Sequence, residues 1–384
     1  MNIYSYRYPL LASIVVLIGA FFFSKILPFF YDLHFETMLL YTLDYFLVIA
    51  TIFIFLTSNK SYQEVSIEYF SNINRLLTKT WLGWFFIGLI FIVVSFNVIP
   101  RIPLILSGVT REELVFEYGR SRAMMFCTAI ILFMTASVLT SKSSLFIKGV
   151  FLYLFLLTVL YSLSRSDILS LIYLLLIFYS LKKIDLKTIV YLTLILIVVV
   201  VFSSAITIYQ GRSVDIVSGI YNMSESLFKY STFSMYLSEK VISDYSGDFE
   251  KIFFPFFGFL SERFLSVFAN LDNPVGVQNS SYISDFVPLG YSNMLSANVV
   301  YPWWPWFVAI FGYSGLFIKF LYSTALLTII YRLRLIFTTQ YMLYVLIFVQ
   351  FRKHPFLNND SVYFFVSIIM LDLLFRRWLR KKND

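Results

Sequence analysis

Apolar residues in this chain come in long uninterrupted runs rather than in alternation with polar ones. Ten runs approach the roughly 20 residues that a helix needs to cross a bilayer: 10–30, 38–56, 81–99, 123–139, 145–163, 168–181, 188–208, 302–330, 337–351 and 362–375. The sixth, ninth and tenth are short, so their ends extend into flanking polar residues and the count spans nine to twelve. Lipid offers no partner for backbone amides, which makes such segments helices, and none shows the period-two pattern of barrel strands. The expected fold is therefore an all-α polytopic membrane protein of about ten transmembrane helices. The first run has no small-residue cleavage site behind a short apolar core and reads as a retained helix.

The pattern leaves one long polar remainder, 209–301, read as a long outer loop or subdomain with short or interfacial helices. Within it the stretch 252–268 carries seven phenylalanines from Phe253 to Phe268. That is too apolar for a solvated loop and places the stretch in the membrane interface. No internal repeat, Pro-rich linker or low-complexity tail divides the chain, so residues 1–384 are expected to form a single membrane domain.

Composition agrees with a lipid environment. Of 384 residues, 59% are hydrophobic and only 14% are charged, where a soluble domain is about a quarter charged; mean hydropathy is +0.79. One cysteine, Cys127, excludes a disulfide framework and a thiolate cluster, and two histidines, His34 and His354, are too few for an imidazole metal centre. No metal and no cofactor is expected. The net charge of +8 clusters at the ends of apolar runs, as topogenic signals do, and does not point to nucleic acid. No GxxxxGK[ST], no GxGxxG after a strand and no DxD-type carboxylate pair supports nucleotide chemistry.

Placing the N-terminus inside puts sixteen Lys and Arg in the inner loops and seven in the short outer ones, so both termini are expected in the cytoplasm. The seven outer bases are Arg101, Arg111, Arg120, Arg122, Arg165, Arg352 and Lys353, six of them arginine, whereas the inner set is nine Lys and seven Arg. Orientation needs only positive charge, while a planar guanidinium fork favours phosphate oxygens. The bland alternative is pairing with Glu112, Glu113 and Glu117 or with lipid headgroups. The 209–301 segment holds nine acids against five bases, so any phosphate site there is local.

The sharpest motif is Ser164-Arg165-Ser166-Asp167, a turn of about four residues between two apolar helices. A charge that close to hydrocarbon is costly and marks function by default; the alternative is an Arg165–Asp167 pair that closes the hairpin. Arg212 opens the long segment and Arg263 interrupts its phenylalanine-rich part, so Arg165, Arg212, Arg263, Arg120 and Arg122 form the candidate pyrophosphate-binding set. Asn298, Tyr301, Trp303 and Trp304 are candidates for glycan binding by stacking, against the alternative of interfacial anchors. Gly312 and Gly315 are expected to permit close helix packing. Asp285, Glu262 and His354 are the candidate acids or bases, with Asp360 beside them; Arg352 and Lys353 would hold His354 neutral. Inside the bilayer, Asp44, Lys319 and Asp372 read as too scattered for a proton relay, with Lys319 and Asp372 snorkelling.

Ten or so helices, a long outer segment in the second half, the Ser164–Asp167 turn and arginines along that segment together resemble the O-antigen (oligosaccharide repeat-unit) polymerases, the Wzy family. The resemblance covers the chain in architecture but rests on few residues. It implies an inner-membrane glycosyltransferase without metal, which moves a growing glycan from undecaprenyl pyrophosphate to the non-reducing end of a new lipid-linked repeat unit. It also implies membrane lipid, and a chain-length regulator and flippase of the same pathway, as partners. By it, Arg165, Arg212 and Arg263 correspond to the family's outer arginines; the related O-antigen ligases carry a histidine where this chain has Asn298. A ligase or another lipid-linked glycosyltransferase, a repeat-unit flippase and a structural scaffold are the competing readings.

Overall fold

The described residues of the ten apolar runs fall mainly on helices in the computed structural model, which describes residues 6–26, 31–109, 113–114, 121–163, 165–181, 186–209, 211, 214–248, 251–268, 282, 285–290, 296–298 and 300–380. The early elements are α1 (Arg7–Ile26), α2 (Phe35–Ser58), α3 (Tyr62–Lys79), α4 (Trp81–Val98), a short α5 (Ile102–Leu106), α6 (Arg122–Thr140), α7 (Leu145–Ser162), α8 (Arg165–Tyr179) and α9 (Leu186–Tyr209). Then follow α10 (Ile216–Tyr245), α11 (Phe254–Phe257), α12 (Phe259–Phe268), α13 (Trp304–Phe311), α14 (Ser314–Arg332), α15 (Ile336–Tyr344) and α16 (Asn359–Arg380). A two-residue antiparallel pair, β1 (Val287–Pro288) with β2 (Ser296–Ala297), is the one described sheet.

The chain is thus an all-α protein with helices suited to a membrane. Six of the described helical stretches are long and apolar enough to cross one: Arg7–Lys25, Phe35–Ser58, Trp81–Leu106, Arg122–Thr140, Leu145–Ser162 and Ser314–Arg332. Ser166–Tyr179 and Ile336–Val349 are apolar but shorter. The faces of α1 show the logic. Leu11, Val15, Ile18 and Phe22 recur at helical spacing and are exposed, while Leu10 and Ala20 are buried against the bundle. An apolar residue that faces outward from a membrane bundle loses nothing, because lipid is as apolar as the core.

Two departures from the sequence pattern matter for the site. The eighth apolar run is not one helix: it breaks at Gly312, whose φ of +60° favours glycine, into α13 and α14. Gly315 permits the close packing expected of it, since a β-carbon there would meet the Phe307 carbonyl oxygen at 2.2 Å. Gly312 instead serves the turn, with open space around it. The second departure lies in the segment expected as a loop, whose first part is the thirty-residue α10. Asp215 starts that helix: its carboxylate accepts from Ser218 N–H (2.7 Å), while Asp215 N–H donates to Ser218 Oγ (3.1 Å). Ser231, Thr232, Ser234 and Ser238 are all buried, with Thr232 Oγ1 donating to Ala20 O on α1 at 3.0 Å. These hydroxyls lower the hydropathy of the run and hide a packed helix.

Candidate functional site

The helix α15 runs into a π-helical turn, Val345–Val349, and then into the irregular segment 350–358 that precedes α16. A π-turn leaves a wide backbone that side chains elsewhere must support, and such turns recur at functional sites. Here the support is extensive. Trp303 N–H donates to Gln350 O (2.9 Å) and His354 N–H donates to Tyr301 O (2.8 Å), so residues 301–303 run beside the segment. Tyr41 Oη and Ser234 Oγ both donate to Phe351 O at 2.8 Å. Phe259 N–H donates to Phe356 O at 2.8 Å. Gly258 makes that last approach possible: its φ is +52°, and a β-carbon there would lie 2.2 Å from Phe356 O.

This pinned turn forms one wall of a narrow cleft of about 20 Å³, lined by Ser13, Val16 and Leu17 of α1, Tyr41 of α2, Tyr173 of α8, Ser231 of α10, and Ile347, Phe348, Phe351 and Arg352. Arg352 is the one cation in that lining. Its Nη2 donates to Tyr173 Oη at 2.8 Å, and the Tyr173 ring stacks on Phe348 with centroids 4.0 Å apart. A half-buried guanidinium fork with hydroxyls around it, in an otherwise apolar cleft, presents N–H donors suited to an anion. Tyr344 Oη donates to Ser170 Oγ at 2.8 Å, and both Arg352 and Asp167 act electrostatically on Tyr344. Asp167 and Arg352 are thus linked through Tyr344.

The residues singled out from sequence are distributed as follows. Arg165 is the first residue of α8, and its side chain lies outside the described residues, as do Arg120 and Arg212 entirely. Asp167 accepts from Ser162 Oγ at 3.0 Å across the α7–α8 turn. Arg122 begins α6 and is exposed. Arg101 is buried, 3.9 Å from the Tyr161 ring centroid, and so braces the ends of α5 and α7. Arg263 is exposed on α12, 5.0 Å from the Phe259 ring centroid. Neither Arg122 nor Arg263 is among the residues that line the cleft.

The aromatic candidates sit in the core. Tyr301, Trp303 and Trp304 are fully covered, because the 301–306 run is packed between α2, α11 and the 350–358 segment, with Trp303 Nε1 donating to Pro255 O at 2.8 Å. Asn298, just beyond β2, is half-buried. In this arrangement the rings offer no open face to a sugar.

His354 is likewise fully buried. Phe356 N–H donates to its Nδ1 at 3.0 Å, which makes Nε2 the protonated nitrogen and the donor to Pro255 O at 3.2 Å. With both nitrogens engaged and burial pushing the imidazole down to about 3, aided by Lys319 and Lys353, this histidine has no lone pair to offer and acts as a structural strut. Glu262 is buried on α12 and accepts from Lys251 Nζ at 2.7 Å. Burial pushes it up to about 7 against the pull of that lysine. Asp285 is exposed beside β1 and Asp360 lies in the first turn of α16.

The intramembrane charges correct the sequence reading most directly. Lys319 and Asp372 do not snorkel; both are buried. Lys319 Nζ donates to Asp44 Oδ1 and to Gln350 Oε1. Asp372 accepts from Phe337 N–H (2.9 Å), Thr338 N–H (2.7 Å), Thr338 Oγ1 (2.8 Å) and Tyr69 Oη (3.0 Å), which caps α15. The pairing of Asp44 with Lys319 had a signal in the sequence: each lies within three turns of the start of its helix, so their depths match if the two helices enter from one side.

Comparison with known proteins adds no relative. No protein-family model matches the chain, and neither a curated protein nor a solved structure matches it.

Proposed function

We propose that this protein is a membrane glycosyltransferase of the repeat-unit polymerase type, working on glycans carried by undecaprenyl pyrophosphate at the outer face of a bacterial inner membrane. The reading includes about ten spans, both termini in the cytoplasm and Arg352 on the outer side. One observation carries it: a guanidinium, Arg352, the one cation among the described lining residues, set among tyrosine and serine hydroxyls in a cleft whose other walls are apolar helices. The resemblance in helix number, long outer segment and Ser164–Asp167 turn supports it.

In the proposed reaction the hydroxyl at the non-reducing end of one lipid-linked unit attacks the anomeric carbon of the growing chain. A carbon–oxygen bond forms there as the bond from that carbon to the pyrophosphate oxygen breaks, and the pyrophosphate leaves with the electron pair. Arg352 stabilises the negative charge that develops on the leaving group. The acceptor proton passes to a carboxylate, and the proposed one is Asp167, which like Arg352 acts electrostatically on Tyr344. Arg352 replaces Arg212 and Arg263 as the first residue to test.

The experiment is deletion of the gene with gel analysis of surface polysaccharide, complemented by variants. Loss of a polymerase leaves single repeat units attached, loss of a ligase leaves polymer unattached to its final acceptor, and loss of a flippase leaves nothing outside. Complementation by Arg352→Ala that restores a full ladder would sink the proposal.

A further inference from the structure

A buried polar cluster behind the cleft has no part in the reaction just described. Asp44 on α2, Lys319 on α14 and Gln350 at the end of the π-turn are all fully buried, and Lys319 bonds the other two through one ammonium. The same ammonium lies 5.3 Å from the Trp303 ring centroid, while Trp303 N–H donates to the Gln350 carbonyl. Two atoms of the cluster, Asp44 Oδ2 and Gln350 Nε2, find no partner among the described residues. A charge pair in such a place is an expensive way to gain stability, because an apolar pair of the same volume does as well or better. Its retention calls for a geometric reason.

We infer that Asp44, Lys319 and Gln350 are positioning residues that set the direction of Arg352. The inference rests on the proposed function, since it concerns the same guanidinium. Gln350 lies two residues before Arg352, and the intervening Phe351 carbonyl is held by Tyr41 from α2 and Ser234 from α10. Lys319 ties the Gln350 side chain to α14 and, through Asp44, to α2. Backbone and side chain of the 350–351 pair are thus fastened to three helices, so the residue that follows has one direction in which to leave. A π-turn without the grip on Gln350 can relax toward α-helical winding. That would rotate every later side chain by a large fraction of a turn and move Arg352 off Tyr173.

The test uses the full-length protein in lipid nanodiscs, with farnesyl pyrophosphate as the probe and thermal unfolding as the control. Asp44→Asn/Lys319→Met removes both charges with side chains close to the native volumes. Gln350→Met removes the whole amide and with it the oxygen that Lys319 reaches, whereas Gln350→Glu keeps an accepting oxygen for Lys319 and replaces the unbonded amide nitrogen by a second carboxyl oxygen. The double variant and Gln350→Met are expected to unfold near the native temperature yet bind the probe about tenfold more weakly, the scale of a misplaced binding group. Gln350→Glu is expected to bind like the native protein, and Arg352→Ala to lose binding.

Native-like binding by Gln350→Met, or a loss in Gln350→Glu equal to that in Gln350→Met, overturns the positioning role while leaving the cleft intact. Native-like binding by Arg352→Ala, or a native protein that ignores the probe, overturns the reading of the cleft instead. If the double variant does not fold, the two Gln350 variants decide the matter alone.

Discussion

At Arg352 a charge-conserving substitution separates two roles. A guanidinium that only supplies positive charge near a membrane surface is replaceable by lysine, whereas one that donates to Tyr173 while facing an anion with its other N–H groups is not. Arg352→Lys is therefore expected to keep the protein inserted but cut polymer formation by roughly 10–100-fold, about 1.4–2.8 kcal/mol of transition-state stabilisation, read from polysaccharide chain length at equal protein level. At His354 the expectation is the reverse. Truncation to alanine leaves Pro255 O and Phe356 N–H without their buried partner and opens a void between α11 and the 350–358 segment, for a cost of about 2–4 kcal/mol. His354→Ala should lower the amount of folded protein while each surviving molecule keeps its activity. A catalytic base would behave the opposite way, with abundance intact and turnover gone.

At the scale of elements, α15 depends on a residue far from it in sequence. Asp372 accepts both N–H groups at the start of that helix, where the exposed amides and the helix dipole favour a carboxylate. Asp372→Asn loses the charge and one accepting oxygen, and is expected to cost about 1–3 kcal/mol, measured as a lower unfolding temperature in nanodiscs; an unchanged temperature would remove Asp372 as the cap. Such long-range partners explain what was legible in the chain beforehand. The apolar runs located helices because lipid imposes one solution on each run. They could not locate α10, whose serines and threonines pack inward, nor the break at Gly312, which costs no hydropathy. The same limit applied to the site. Arginine bias in the short outer loops included Arg352, but nothing local distinguished it from Arg101, which Tyr161 occupies, or His354 from a free imidazole. The distinction comes from Pro255, Tyr301 and Tyr173, none of them a sequence neighbour.

At the scale of the whole molecule, two buried groups outside the membrane-spanning runs pull stability in opposite directions with pH. His354 moves from an ordinary 6.5 down to about 3, so between those values the unfolded chain holds more protons, and stability is lost as pH falls through the range. Glu262 moves from 4.5 up to about 7, so the folded protein holds more protons there, and stability is lost as pH rises through that range. From about pH 4.5 to 6.5 the two slopes offset, each near 1.4 kcal/mol per pH unit at its limit. The native protein should therefore show a flat unfolding temperature across this window, with a decline on the acid side from His354 and a smaller one toward neutrality from Glu262. Glu262→Gln keeps an acceptor for Lys251 but removes the titration, which leaves the histidine slope uncovered. Its unfolding temperature should fall steadily as the buffer is taken from pH 6.5 to 4.5. A flat profile in the variant would mean that His354 titrates normally in the folded protein, and with it the assignment of that residue as a buried strut would fail.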